Sequence, residues 1–160
     1  MVTKQIPTRT TQLIVHSASG LYITPLGRQN ADVEMRLWRL GPASAGDKTV
    51  QWHFILIPGQ QLDGVVQIKN AAYDRCLTLS HARPNTTVTY TTTDPADQAQ
   101  WWRLINLDTG QADFVIASML DPSLVISPRE SYHAPEITLE VEESGPWTDQ
   151  FWRWREPWSS

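Results

Sequence analysis

The stretch "QFWRW", residues 150 to 154, lies near the end of the chain and repeats the phrase "QWWRL" of residues 100 to 104. A less exact copy, "VQWHF", occupies residues 50 to 54. The copies place a tryptophan at equal spacings of 50 residues: Trp52, Trp102 and Trp152. Equal spacing of a rare residue type indicates an internal repeat, so we expect a chain of three similar units.

The segments between these tryptophans follow one order in every unit. Each unit begins with an apolar run that ends in a polar residue: "QLIVHS" (12 to 17), "VVQIKN" (65 to 70) and "DFVIAS" (113 to 118). After a turn comes a short alternating strand: "LYITP" (21 to 25), "LTLSH" (77 to 81) and "LVISP" (124 to 128). A third strand follows: "VEMRLW", "TVTYTT" and "EITLEV". With the tryptophan strand, this order predicts four strands in each of three units.

The period of the apolar residues predicts which side chains face the core. Alternation directs three pairs of second-strand residues to one face: Leu21 with Ile23, Leu77 with Leu79, and Leu124 with Ile126. It also directs the following residues of the tryptophan strands inward: Trp52, Phe54 and Leu56, then Trp102 and Leu104, then Trp152 and Trp154. No segment of ten or more residues keeps a helical period, and the chain contains 11 prolines. We therefore predict an all-β fold with pseudo-threefold symmetry, closed so that no sheet edge is left open.

The length of the chain sets the expected number of domains. A chain of 160 residues with 41% hydrophobic residues has the size of one domain with one core. Two separate domains would each be too small to bury much surface. We predict a single domain over residues 1 to 160, with lobes over about 12 to 58, 63 to 108 and 113 to 158.

Charge and cysteine content argue against several kinds of partner. The 13 basic and 17 acidic residues form no run of one sign, so the field that attracts nucleic acid or an anionic membrane is missing. No apolar stretch approaches the roughly 18 residues of a membrane span. The single cysteine, Cys76, cannot close an intramolecular disulfide, and the opening "MVTKQIPTRTTQ" contains no apolar signal core. We expect a cytoplasmic protein that binds neither nucleic acid nor membrane.

Two of the repeated phrases contain a Gln-x-Trp motif, at Gln100 to Trp102 and Gln150 to Trp152, and Val50 replaces the glutamine in the other. With its three four-stranded units, the chain resembles the ricin B-type lectins from about residue 12 to residue 158. The resemblance implies a β-trefoil fold and a non-catalytic protein that binds galactose- or N-acetylgalactosamine-type glycans. Because a signal peptide and framework cysteines are missing, the chain is most similar to the small intracellular lectins of fungi.

Trp38 differs from the repeated tryptophans, which we expect to be structural core residues. It ends the third strand of the first unit, where we align Thr91 and Glu140 of the other units. Ricin-type lectins have at this place an aromatic residue against which the apolar C–H face of a galactose-like ring packs. Arg36 occupies the place of the family's polar partner. The resemblance thus implies a sugar site in the first lobe.

One position departs from the family pattern. Ricin-type galactose sites also require an aspartate in the second strand, and the positions aligned with it here hold Tyr22, Thr78 and Val125. We therefore expect the second and third lobes to be silent in this mode. In the first lobe, the loop "GDKTVQ" (46 to 51) offers an acceptor and a donor beside the aromatic residue. The predicted carbohydrate site consists of Trp38, Arg36, Tyr22, Asp47 and Thr49.

A protease inhibitor is the alternative function, because β-trefoils also present rigid loops to protease clefts. Arg28 in "PLGRQN" and Arg83 in "SHARPN" are basic loop residues that suit the specificity pocket of a trypsin-like enzyme. The Gln-x-Trp phrases and Trp38 favour the lectin interpretation.

Other chemistry finds no support in the sequence. The four histidines lie singly, without the spacing of a metal site, and no nucleophile or phosphate-binding motif is present. We therefore predict no enzyme, no cofactor and no metal. Glu140 and Glu142 alternate on one strand face and are interpreted as a solvated edge. The tail "RWREPW" (153 to 158) either packs against a partner subunit in a homodimer or covers its own barrel.

Overall fold

The computed structural model describes residues 6–26, 30–41, 44, 46–60, 63–106, 113–129, 137–145 and 148–157. These residues contain twelve strands: β1 Leu13–His16, β2 Tyr22–Pro25, β3 Val33–Trp38, β4 Trp52–Leu56, β5 Val65–Asn70, β6 Arg75–Thr78, β7 Thr89–Thr92, β8 Trp102–Asn106, β9 Phe114–Ser118, β10 Leu124–Pro128, β11 Ile137–Glu143 and β12 Trp152–Arg155. Short 3₁₀ turns precede the tryptophan strands: Lys48–Val50, Gln98–Gln100 and Thr148–Gln150. No helix in the described ranges is long and apolar enough to cross a membrane. The all-β prediction is confirmed.

Six strands close into a barrel, because each pairs with a neighbour on both sides. The antiparallel pairings run from β1 to β12, β9, β8, β5 and β4. The circle closes between β4 and β1, where Gln12 and Trp52 exchange two backbone hydrogen bonds with nitrogen–oxygen distances of 2.8 Å. Closure pairs the strands that would otherwise be exposed at the sheet edges.

The other six strands form three hairpins, β2 with β3, β6 with β7, and β10 with β11. β3 also pairs with β11 and with β7. A bridge between Thr87 and Glu140 joins the second hairpin to the third. Each lobe thus contributes two barrel strands and one hairpin, and the hairpins contact one another in turn. This arrangement is a β-trefoil, as predicted.

The repeated tryptophans occupy the same place in each lobe. All three are fully buried, and each indole N–H donates to a carbonyl oxygen of the second strand in its own lobe. The nitrogen–oxygen distances are 3.1 Å from Trp52 to Ile23, 2.9 Å from Trp102 to Leu77 and 3.1 Å from Trp152 to Ile126. The predicted structural role of these residues is confirmed, and the three bonds define which positions of the lobes are equivalent.

The glutamines of the Gln-x-Trp motifs hold the loops that precede the tryptophan strands. The side-chain oxygen of Gln100 accepts the N–H of Asp94 at 2.9 Å, and its nitrogen donates to the carbonyl of Thr92 at 2.8 Å. Gln150 bonds to the backbone of its own loop in the same way. Val50 cannot make these bonds, and it packs instead in a small apolar cluster beside β1.

Two residues that were predicted to face the core, Trp154 and Leu56, differ in where the structure places them. Trp154 is half-buried and packs against Phe54 and Phe114, with ring centroids 5.9 and 5.0 Å apart, so this part of the tail covers its own barrel. The prediction that Leu56 faces inward is wrong, since its side chain is 54% exposed. Leu56 lies beyond the point where β4 pairs with β1, because residues 8–11 form no strand there. Trp158, at the end of the tail, lies outside the described residues.

The hairpin registers correct two alignments made from the sequence. Residues of different lobes are equivalent when they are the same number of residues from the one whose carbonyl accepts the tryptophan hydrogen bond, or pair with such a residue across the hairpin. By this measure Cys76, and not Thr78, occupies the family's aspartate position in the second lobe. Likewise Glu142, and not Glu140, is the counterpart of Trp38 in the third lobe. A shift of two residues keeps the same side chains inward, so the apolar period cannot detect it.

His16, at the end of β1, is buried and hydrogen-bonded through both ring nitrogens. The residue is 4% exposed, and its Nε2 lies 2.8 Å from the carbonyl oxygen of Asp149 while its Nδ1 lies 2.7 Å from the hydroxyl of Ser19. Because a carbonyl only accepts, Nε2 carries the proton and Nδ1 accepts from the hydroxyl. Burial lowers the pKa of His16 below its usual 6.5, although contacts with Asp149 act in the opposite direction.

Mild acid is expected to destabilise the protein through His16. The pKa of His16 is lower in the folded than in the unfolded state, so the neutral ring stabilises the folded state. This contribution is complete above pH 6.5 and is lost as the pH falls below it. The free energy of unfolding in urea should fall between about pH 7.5 and 5.5, a range above the usual carboxylate pKa values. In His16→Asn the fall should be smaller.

Asparagine is the matched replacement, because Asn70 is the equivalent residue of the second lobe and donates to the carbonyl of Thr49. Burial and two nearby lysines also lower the pKa of His53, so the variant should keep a residual pH dependence. Equal pH dependence in wild type and His16→Asn would contradict the assignment to His16.

Candidate functional site

The outer face of the first hairpin contains most of the predicted site. Ile23 of β2 and Leu37 of β3 point into the core, so the residues that alternate with them point outward. Two cross-strand pairs form what we call the first hairpin face: Tyr22 with Trp38, and Thr24 with Arg36. The hairpin therefore brings three of the five predicted residues together.

Trp38 presents an aromatic surface to solvent at this face. Its side chain is 38% exposed, and the guanidinium carbon of Arg36 lies 4.2 Å from the ring centroid. A cation at this distance is attracted by the ring quadrupole, by about 0.5–1 kcal/mol at an exposed site. The contact orients the indole and covers one of its faces.

Tyr22 supports the site from below. The residue is only 6% exposed, and its ring packs in a cluster with Leu13 and Leu40. Its hydroxyl accepts a hydrogen bond of 3.0 Å from Arg155. Tyr22 therefore lies opposite Trp38 across the hairpin, largely buried and with its hydroxyl bonded to Arg155.

The 3₁₀ turn Lys48–Val50 lies against β2 and supplies the remaining predicted residues. Asp47 caps this turn, because its Oδ1 accepts the N–H of Thr49 at 2.9 Å. Asp97 caps the corresponding turn of the second lobe in the same way, so this role of Asp47 is structural. The hydroxyl oxygen of Thr49 is buried and has no hydrogen-bond partner in the described chain. Thr49 is thus a polar group whose bonding capacity is unused.

Thr24 is a residue of the first hairpin face that the sequence analysis missed. It is fully buried, and its hydroxyl oxygen also has no hydrogen-bond partner in the part of the chain that the structure describes. A buried hydroxyl left unpaired costs about 1–3 kcal/mol. The signal was available in the sequence, because Thr24 follows the inward-facing Ile23 and must therefore face the other side.

The second hairpin face is formed by Cys76, Thr78, Thr89 and Thr91. Its side chains bond to one another: the Thr78 hydroxyl lies 2.7 Å from that of Thr91 and donates to the carbonyl of Cys76 at 2.8 Å. Burial raises the pKa of the Cys76 thiol to about 11, which keeps it protonated. This face has no aromatic residue for a sugar ring.

The third hairpin face is formed by Val125, Ser127, Glu140 and Glu142. Glu140 and Glu142 do share one strand face, as predicted. Their interpretation as a solvated edge is wrong for Glu140, which is 7% exposed. Glu140 lies opposite Ser127 across the hairpin and is covered by the neighbouring lobe through its bridge to Thr87.

The residues of the alternative functions are placed as follows. Arg28 lies outside the described residues, whereas Arg83 is exposed in the turn between β6 and β7. The carbonyl of Arg83 accepts a 2.7 Å bond from the hydroxyl of Thr86, so internal contacts set the shape of this turn.

Across the described ranges, no group of three or more histidine, cysteine or acidic residues is placed to hold a metal ion.

The three lobes, their buried indoles and one exposed aromatic residue on a hairpin define a lectin-like β-trefoil. The sequence of residues 48–131 matches the family described as "Ricin-type beta-trefoil lectin domain-like". The match covers just over half of the chain, and the protein belongs to this family. Among curated proteins, none matches the chain significantly in sequence.

Solved structures of similar shape share little sequence with the chain. The agglutinin of Rhizoctonia solani has a TM-score of 0.77 at 16% identity, over 97% of this chain and 99% of that one. The ricin B-like lectin of Macrolepiota procera, solved in complex with lactose, has a TM-score of 0.75 at 15% identity, over 96% and 100%. An exo-β-1,3-galactanase from Clostridium thermocellum has a TM-score of 0.73 at 21% identity, and the chain spans only 32% of it. At these identities the likeness shows the fold alone.

Proposed function

We propose that the protein is a non-catalytic lectin that binds a galactose- or N-acetylgalactosamine-type glycan at the first hairpin face. The observation that supports it most is the exposed indole of Trp38, held by Arg36 at 4.2 Å. Membership of a lectin-type family supports carbohydrate as the ligand class. The lactose in the Macrolepiota procera structure supports a galactose-type sugar.

The aromatic residue provides the apolar part of recognition. A galactose-type ring has one patch of polarised C–H groups without hydroxyls, and an aromatic face attracts such groups. The Arg36 contact fixes the orientation of Trp38 before the ligand arrives, so less side-chain freedom is lost on binding. The open side of the indole is then the surface on which the sugar stacks.

Polar groups of the first hairpin face and of the turn beside β2 read the sugar hydroxyls. The family's aspartate position holds Tyr22, whose hydroxyl is bonded to Arg155, so this task passes mainly to Arg36, while Asp47 and Thr49 belong to the turn that lies against β2. A guanidinium that stacks on a ring through its plane still directs its N–H donors sideways. The Thr49 hydroxyl has unused bonding capacity. These donors and acceptors discriminate hydroxyl orientation, because a buried sugar hydroxyl without a partner costs about 1–3 kcal/mol.

The site is a single shallow face, and this limits its affinity. Few ligand atoms are buried in such a site, so we expect dissociation constants for monosaccharides on the order of millimolar to high micromolar. A homodimer would bind multivalent glycans more tightly, because the second contact becomes intramolecular.

A glycan array with wild type and Trp38→Ala tests the proposal. We expect the wild type to bind glycans that end in galactose or N-acetylgalactosamine. The variant should lose at least about tenfold in affinity, because the stacking surface is removed. Trp38→Phe keeps an aromatic face and should retain part of the binding.

Leu120→Ala is the matched control, since Leu120 is an apolar side chain of similar exposure, 39%, in the third lobe. This variant should bind glycans as the wild type does. A wild type that binds no glycan but inhibits trypsin, with inhibition lost in Arg28→Ala or Arg83→Ala, would show that the protein is an inhibitor and that the proposal is wrong.

A further inference from the structure

The first lobe contains the buried side-chain oxygens that the fold leaves without a hydrogen bond. Within the described ranges there are three of them, on Gln12, Thr24 and Thr49. Buried polar groups are nearly always hydrogen-bonded, so an unbonded one in a folded protein calls for an explanation. Thr24 is the one that belongs to the first hairpin face itself, and its hydroxyl must therefore be explained together with the proposed glycan site.

The side chain of Thr24 faces outward, although water does not reach it. Its neighbour Ile23 lies in the core, so Thr24 points to the other side of the hairpin. The residue is fully buried. Across the hairpin it pairs with Arg36, whose guanidinium carbon lies 4.2 Å from the ring centroid of Trp38. The unbonded hydroxyl is thus a neighbour of the two residues that form the centre of the proposed site.

The second lobe shows how the same position is satisfied within a hairpin. Thr78 is the counterpart of Thr24, because each follows the residue whose carbonyl accepts the tryptophan hydrogen bond. The hydroxyl of Thr78 donates to the carbonyl of Cys76 at 2.8 Å and lies 2.7 Å from the hydroxyl of Thr91. A hydroxyl at this position is therefore able to find partners in its own hairpin, yet that of Thr24 has none in the described chain.

The residue at the aromatic position accounts for this difference. Thr91 is the counterpart of Trp38, since it pairs with Cys76 as Trp38 pairs with Tyr22. An indole has no acceptor atom, so tryptophan at this position removes the hydroxyl partner that Thr91 provides in the second lobe. The contact between Thr78 and Thr91 also means that a threonine at the position of Thr24 is within reach of the aromatic position.

An unbonded hydroxyl gains more from a ligand than one that is bonded to water. A solvent-exposed hydroxyl gives up a water molecule when it bonds a sugar, so its net gain is small. The Thr24 hydroxyl is out of reach of bulk water, and a sugar hydroxyl that bonds it removes the cost of leaving it unpaired. This gain offsets a shift of the side chains that cover it. Because a hydroxyl both donates and accepts, another hydroxyl is a suitable partner.

We propose that Thr24 determines specificity in the glycan site, because its hydroxyl bonds one hydroxyl of the sugar that stacks on Trp38. This inference rests on the proposed lectin function and deepens it. The site then selects a sugar that has a hydroxyl beside its apolar C–H patch, and it discriminates against a sugar that lacks this hydroxyl. Removing the ligand hydroxyl and removing the Thr24 hydroxyl should therefore have the same effect on affinity.

A double-mutant cycle between protein and ligand tests the assignment. NMR titration of the full chain gives dissociation constants for methyl β-galactoside and its four monodeoxy derivatives, which lack the hydroxyl on the second, third, fourth or sixth carbon. Thr24→Val keeps the shape of the side chain without the hydroxyl and should bind the parent galactoside about tenfold more weakly than the wild type. For one of the derivatives the two proteins should bind equally, because both partners of the bond are then missing.

Stability measurements separate a ligand-binding hydroxyl from a structural one. Thr24→Val removes an unpaired buried group, so its unfolding midpoint in urea should equal or exceed that of the wild type. Thr78→Val is the matched control, because it removes a bonded hydroxyl. This variant should have a lower midpoint and bind the galactoside as the wild type does. Thr24→Ser keeps the hydroxyl and should bind the galactoside within about twofold of the wild type.

Failure of the assignment is distinguishable from failure of the lectin function. In one case the wild type binds the galactoside and Trp38→Ala does not, but Thr24→Val binds as tightly as the wild type or loses the same affinity for every derivative. The lectin function then stands, and the assignment of Thr24 is wrong. If the wild type binds none of the sugars, the proposed function is wrong and the assignment is wrong with it.

Discussion

Trp102→Ala is expected to lower the free energy of unfolding by about 3–5 kcal/mol, the range found when a large buried aromatic residue is truncated. Trp102 is fully buried in the main core, so truncation removes apolar burial and leaves a cavity. It also removes the 2.9 Å hydrogen bond to the carbonyl of Leu77. Urea denaturation followed by circular dichroism measures the loss. A domain of this size is stable by about 5–15 kcal/mol, so the variant should be close to unfolding.

Trp102→Phe separates the two contributions. Phenylalanine keeps an aromatic ring but has no N–H group, so the Leu77 carbonyl loses its donor at a cost of about 1–3 kcal/mol. Trp101→Ala is the control, because Trp101 is partly exposed and its N–H bonds to the carbonyl of Pro95 at the surface. An unfolding midpoint in Trp102→Ala equal to that of Trp101→Ala would contradict the central position of Trp102.

Arg153→Met is expected to destabilise the protein by about 3 kcal/mol, because it leaves a buried carboxylate without its cation. The side chain of Asp113 is only 6% exposed, and its Oδ1 accepts a 2.7 Å bond from Nε of Arg153. The hydroxyl of Ser17 donates to the same oxygen at 2.7 Å. Arg153 itself is 39% exposed, so water can enter beside Asp113, and this limits the loss to the lower end of the usual range for a broken buried pair.

A double-mutant cycle with Asp113→Asn isolates the pair. Asparagine keeps an oxygen for Ser17 but removes the charge, so Arg153→Met should cost much less in the Asp113→Asn background than in the wild type. Chemical denaturation of the four proteins gives the coupling energy. A coupling near zero would mean that Asp113 and Arg153 do not stabilise the fold through each other.

The repeated tryptophan phrase was enough to predict the fold, because the physical requirement behind it is the same in each lobe. A large side chain must be buried at one point of each unit, and a glutamine two residues earlier must bond the loop that leads to it. Both requirements appear in the sequence as residue identity and spacing. Even the exception at Val50 is consistent, since a residue that cannot bond the loop packs in an apolar cluster there.

The candidate site was less accessible from the sequence, because burial on the outer faces depends on contacts between lobes. Glu140 is an acidic residue and alternates as an edge residue does, yet the second hairpin covers it through Thr87. The burial of Tyr22 depends in part on Arg155, which is 133 residues away in the chain. Local pattern contains no information about such distant partners. The exposed position of Trp38, in contrast, follows from alternation along its own strand.

Each indole hydrogen bond joins the core of a lobe to the second strand of the same lobe. The side chains on the outer surface of the lobe take no part in this bond. The three surfaces differ from one another, and only the first has an aromatic residue at the position of Trp38. If the proposed first-lobe site is the glycan site, one chain binds one glycan end in this way, and cross-linking two cells through it requires two associated chains. Clumping of red cells would accordingly report self-association, whereas sugar recognition must be read from binding to an immobilised glycan.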